Sequence, residues 1–106
     1  MKIDLSKDGL ESIFTPWEIT ALEILTEGRE YSSGTLVATV NNSGRKISQA
    51  SIINFLEELT AYGITSKYVT TGKGGERGVY STGHNMQTLR EYIASLAENW
   101  AKEMRK

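Results

Sequence analysis

The chain has 106 residues, 39% hydrophobic and 24% charged, with a formal net charge of -1, the size and balance of one globular domain with a single core. It has no cysteine and one histidine, His84, which excludes disulfides, thiolate chemistry and zinc ribbons and leaves no metal or cofactor to expect. No charged n-region leads into an apolar segment at the N-terminus, and no apolar run approaches the roughly 18 residues of a membrane span, so a cytoplasmic location away from membranes is expected.

Residues 1–14 form a polar extension in which Leu10 and Ile13 suggest a short extra turn. The run Phe14-Thr15-Pro16-Trp17-Glu18 predicts a helix start, with Thr15 as N-cap, Pro16 at the first helical position and Glu18 completing a capping box. Trp17, Ala21, Ile24 and Leu25 then share one face, and Gly28 supplies a left-handed stop. After the Ser32-Ser33-Gly34 break, Leu36, Val37 and Val40 have the spacing of a short second helix, closed by a turn over residues 41–44. The third helix is expected over residues 48–62, with Ser48 as N-cap and Ile52, Phe55, Leu56 and Leu59 as its core stripe before Gly63 ends it.

Residues 64–70 are rich in Ile, Thr, Tyr and Val; a glycine-rich stretch over 71–78 and then Val79-Tyr80-Ser81-Thr82 follow. That pattern predicts a two-stranded hairpin with a glycine-rich tip over residues 64–82. From Asn85 onward Met86, Leu89, Ile93, Leu96 and Trp100 recur in steps of 3 and 4 residues, a seam on a helix reaching nearly to Lys106 that is too apolar to stand alone in water. His84 lies at the strand-to-helix junction and reads as a surface or capping residue. Trp17 and Trp100 each belong to an apolar stripe and are expected to pack, not to stack on bases.

Three helices followed by a hairpin is the order of an α+β winged helix-turn-helix domain, whose third helix enters the major groove beside the wing. The stretch from Thr15-Pro16-Trp17-Glu18 through Ser48-Gln49-Ala50-Ser51-Ile52-Ile53-Asn54-Phe55-Leu56-Glu57-Glu58-Leu59 and Gly63-Ile64 to Val79-Tyr80-Ser81 resembles the DNA-binding domain of the penicillinase-repressor group. More broadly it is similar to the MarR and PadR winged-helix repressors. The resemblance covers residues 14–82 and implies double-stranded DNA as partner. It departs at Glu57 and Glu58, where such helices often carry Lys or Arg. The organisation expected is an extension over 1–14, a DNA-binding domain over 15–82 and a dimerisation helix over 85–106.

Within that frame Gln49, Ser51 and Asn54, with Ser48 and Ala50 beside them at the helix start, are the residues expected against base edges, since amides pair bidentately with adenine and hydroxyls with several bases. Arg45 and Lys46 precede the helix and suit phosphates, and Lys73 and Arg77 on the wing suit the backbone or minor groove. Met86, Leu89, Ile93, Leu96 and Trp100 are expected at a homodimer contact. Charge is skewed in the same sense: residues 1–34 carry a net -4, and residues 45–80, through Arg45, Lys46, Lys67, Lys73 and Arg77 against Glu57, Glu58 and Glu76, a net +2. Gly72-Lys73-Gly74-Gly75 lacks the spacing of a nucleotide-binding loop, and no catalytic constellation surrounds His84, so an enzyme is not expected. Two functions remain: a homodimeric regulator, of repressor type, reading a pseudo-palindromic operator, or a winged-helix protein-interaction module that never touches DNA. The sequence does not identify an effector.

Overall fold

A computed structural model describes residue 6 and residues 9–44, 46–72 and 75–104; Arg45 and Lys73, both expected at phosphates, lie outside the described residues. A 3-10 turn, Gly9–Ser12, leads into α1, Pro16–Leu25. The α1 start follows the capping-box spacing: the Glu18 carboxylate accepts from both the N–H and the hydroxyl of Thr15 at 2.8 Å. Its buried residues are Ala21, Leu22 and Leu25, while Trp17 and Ile24 are half-buried. The expected stripe was therefore rotated by less than a turn, and Leu22 joins it.

β1, Tyr31–Ser32, and α2, Ser33–Asn42, follow directly. α2 begins earlier than the apolar spacing suggests because the Ser32 hydroxyl caps it, accepting from the Thr35 N–H at 3.3 Å, so Ser33 and Gly34 lie inside the helix. α3, Gln49–Ala61, is capped by Ser48, which accepts from the Ser51 N–H at 3.2 Å. Its stripe Ile52, Phe55, Leu56 and Leu59 is buried as expected. Between α2 and α3 the side-chain amide of Asn41 holds Ile47 twice, accepting from its N–H at 2.8 Å and donating to its carbonyl at 3.2 Å.

β2, Ser66–Gly72, and β3, Gly75–Ser81, pair antiparallel in a register from Ser66↔Ser81 to Gly72↔Gly75. Two corrections follow. The strands run well into the glycine-rich stretch, so its paired part is ladder, not loop, and Arg77 stands opposite Thr70 inside a strand instead of flanking the tip. The sheet has three strands in the order β1-β3-β2, not two, because Tyr31 and Ser32 pair with Tyr80 and Val79.

α4, Met86–Met104, starts at Asn85, whose side chain accepts from the Thr88 N–H at 2.9 Å while the Thr88 hydroxyl accepts from the Asn85 N–H at 3.0 Å. One core takes in Leu10 and Phe14 before α1, the inner faces of α1 to α3, Tyr80 of β3, and Leu89 and Ile93 of α4. Leu89 and Ile93, 0% and 3% exposed, are thus packed against their own chain. This corrects the expectation that they meet a partner: without α4 the core would be open on that side. Trp17 meets Phe55 edge-on and Trp100 meets Tyr62 edge-on, centroids 5.3 and 5.4 Å apart, so both tryptophans pack. His84 stacks on Tyr92 at 5.1 Å, and the Tyr92 hydroxyl donates to the Tyr62 carbonyl at the end of α3. Among the described residues no helix is long and apolar enough to cross a membrane.

Candidate nucleic-acid interface

α3 buries one stripe and turns the other side to solvent, where Gln49, Ala50, Ser51, Ile53, Asn54 and Glu57 are exposed. Lys46 and Ser48 are exposed just ahead of the helix. Of the side chains expected at base edges, three already have partners. The Ser48 hydroxyl donates to that of Ser51 at 3.0 Å, tying both into the cap, and the Gln49 amide donates to the Ser33 hydroxyl at 3.4 Å. No hydrogen bond of the Asn54 amide is found among the described residues, and Asn54 is exposed.

The wing stands against the same side of the molecule. An open polar cleft of about 510 Å³ is lined by residues 32–35 at the start of α2, by Gln49 at the start of α3 and by residues 76–78 of β3. Gln49 and Arg77, expected to contact different parts of a duplex, are therefore brought to one concavity, which the N–H groups of the first turn of α2 also border. A helix start and a guanidinium converging on one cleft suit a phosphate oxygen. Among the described residues no group of three or more His, Asp or Glu side chains is placed to hold a metal ion.

Glu57, expected to oppose phosphate, has another role. Its Oε1 accepts from the Lys67 ammonium at 2.7 Å and from the Tyr80 hydroxyl at 2.5 Å, joining α3 to both β2 and β3. The Lys67 nitrogen also lies 5.5 Å from the Tyr80 ring centroid. The Lys67 hydrogen bond, then that from Tyr80, hold the Glu57 carboxyl below the usual carboxylate range, and the same contact raises Lys67. Burial first, then the bond to Glu57, raises Tyr80. Gly78 eases the route: a Cβ there would stand 2.9 Å from the Lys67 Cε, so a larger residue would make the end of the lysine side chain shift as it crosses β3 toward α3. At the outer side of the sheet the Tyr68 hydroxyl donates to Glu30, which raises Tyr68. Sequence reasoning missed this junction because its members are 10 to 38 residues apart and no local pattern links them.

The proposed dimer residues divide along α4. Met86, Leu96 and Trp100 are half-buried, and Leu89 and Ile93 buried. Beside them an apolar groove of about 180 Å³ lies between residues 9, 10 and 13 and the α4 residues Arg90, Ile93, Ala94 and Ala97.

No protein-family model matches the sequence, and no curated protein matches it. In fold it is similar to several solved structures. A possible transcriptional regulator from Methanosarcina mazei Go1 superposes with a TM-score of 0.64 at 13% identity, over 86% of this chain and 73% of that one. A PadR family transcription regulator from hypervirulent Clostridium difficile R20291 gives 0.60 at 14% identity, over 85% and 94%. A chain from Enterococcus faecalis V583 assigned to the MarR family of regulators gives 0.57 at 18% identity, over 95% and 96%. With the element order described above, these define the class: an α+β winged helix-turn-helix fold carrying an added C-terminal helix.

Proposed function

We propose that the protein is a homodimeric DNA-binding transcriptional regulator, of repressor type, in which α3 enters the major groove and the β2–β3 hairpin follows the backbone as a wing. One observation carries the reading: Gln49 at the start of α3, the start of α2 and Arg77 of the wing line one polar cleft, and Asn54 is exposed further along α3. Asn54 with Gln49 would read bases, and Lys46, Arg77 and the first turn of α2 would take phosphates. Arg45 and Lys73 are assigned to phosphate on the sequence alone. The protein-interaction reading rests on the acidic first helix and on Glu57 and Glu58; the Lys67 partner of Glu57 removes part of that support.

A second copy is assigned to the α4 groove, since Leu89 is wholly buried in its own chain and Ile93 only borders the groove. The stripe Arg90, Ala94 and Ala97 continues to Ala101 and to Met104, 86% exposed. Antiparallel pairing of two α4 helices about Ala94 would set Arg90 opposite Glu98 of the second copy. Dimeric helix-turn-helix proteins read half-sites about 34–36 Å apart, the separation the two α3 helices would have to meet.

The test is a gel-shift titration of the full chain against mixed genomic duplex at low salt, with sedimentation of the free protein. Retarded DNA and a dimer mass that Ala97→Glu reduces to a monomer are expected. Absence of any shift at low salt removes the DNA reading in favour of protein docking, and a monomer at tens of micromolar removes the dimer.

A further inference from the structure

Ile53 is unlike the other large apolar residues of α3. Ile52, Phe55, Leu56 and Leu59 are between 0% and 3% exposed, whereas Ile53 is 37% exposed on the solvent side. At 100° per residue it neighbours Ala50 at i−3 and Glu57 at i+4, with Asn54 adjoining Ala50 on the other side. Of the polar groups around it, Glu57 is committed to the fold through Lys67 and Tyr80, and Gln49 lies a turn nearer the helix start, with an exposed 3.4 Å contact to Ser33. A carboxylate held by two donors is poorly placed to accept from a cytosine amino group. What α3 offers a groove at its centre is an apolar pair, Ala50 and Ile53, beside one open amide, Asn54.

The one apolar feature that a base pair presents in the major groove is the 5-methyl group of thymine. We infer that Ile53, backed by Ala50, is a specificity-determining residue that packs against a thymine methyl next to the base read by Asn54. The inference rests on α3 being the groove-entering helix and adds the chemistry of the sequence it selects. Asn54 favours adenine through N6 and N7, so the pair of contacts selects a thymine beside an adenine. Contact with the methyl buries the side chain that water now touches, which gives an exposed isoleucine at this place a use that a serine or lysine would not serve.

The test is made on the DNA side first. Duplexes enriched from a random pool by the full chain are remade with deoxyuridine in place of one thymine at a time, which deletes only the methyl. At one thymine of each half-site the wild type should bind about fourfold more weakly, the loss of one buried methyl. Ile53→Ala should bind the thymine and uracil duplexes equally, while Asn54→Ala should keep the methyl effect. Alanine's high helix propensity preserves α3 in the first variant, and the uracil series on the wild type needs no variant at all. Binding that ignores uracil at every position, or a uracil penalty that Ile53→Ala retains, overturns the assignment and leaves the DNA reading standing. Failure to enrich any duplex removes both.

Discussion

α3 and the wing lie side by side, yet they are held by different physics. α3 presses four side chains, Ile52, Phe55, Leu56 and Leu59, into the core and closes its start with Ser48. Every residue of β2 is exposed, so the outer strand of the wing contributes nothing to that core. Its attachment is its ladder to β3 and a few polar contacts: Glu57 with Lys67 and Tyr80, and Glu30 with Tyr68. Orientation of a helix by burial is stiff, because moving it opens cavities. Orientation of a strand by exposed hydrogen bonds is adjustable, because water can replace each of them. The chain therefore joins a helix fixed by burial to a compliant hairpin.

The sharpest way to break this contrast is a matched pair of truncations. Leu56→Ala should cost about 2–5 kcal/mol of stability in denaturant unfolding, since Leu56 is 0% exposed. Val69→Ala on β2, where the side chain is 57% exposed, should stay within about 0.5 kcal/mol. Equal losses would mean that the wing is packed as firmly as the helix. Arg77→Ala sharpens the contrast on the functional side. Arg77 lines the cleft and is exposed, so unfolding should be unchanged while the log-log salt slope of DNA binding falls by about 1. A lower midpoint of unfolding with an unchanged slope would place Arg77 in the structure and not at a phosphate.

The smallest effect concerns the junction itself. Glu57 is held below its ordinary pKa by Lys67 and then Tyr80, so its contribution is complete at neutral pH and is lost only as pH falls through and below the usual carboxylate range. Amide exchange in β2 and β3 should quicken there before α3 opens. Gly78→Ala, which pushes the Lys67 stem away, should give the same faster exchange at neutral pH. If the acid change reaches α3 and the wing together, the two are one cooperative unit.

Most of the fold was legible because its elements announce themselves locally. The Ile52, Phe55, Leu56 and Leu59 stripe has helical period, and the Thr15 and Ser48 starts carry their own caps. β1 was not legible: two residues have no periodicity, and Tyr31 and Ser32 become a strand only because β3 offers them an edge. The hairpin was read short because glycines usually mark loops, whereas Gly72, Gly75 and Gly78 sit in the ladder. On α4 the seam was visible but its direction was not, since a heptad-like stripe fits a partner's helix or its own core equally well. Leu89 and Ile93 went inward because the three-helix core alone leaves that side open. At the interface the outward residues of α3 were readable from the wheel, but Glu57 was judged by its charge alone, and its partners come from a distant strand.

The Asn41 side chain has a wider consequence. Its amide carries one carbonyl and one N–H₂, the same complement as a peptide unit, and it meets both the N–H and the carbonyl of Ile47. It stands in for a strand neighbour where there is none, and so gives the turn before α3 a registry of its own. A carboxylate of nearly identical shape would keep one contact and set two acceptors against each other at the second. The path of the turn between α2 and α3 thus depends on one nitrogen atom, a chemical distinction that neither size nor hydrophobicity would reveal.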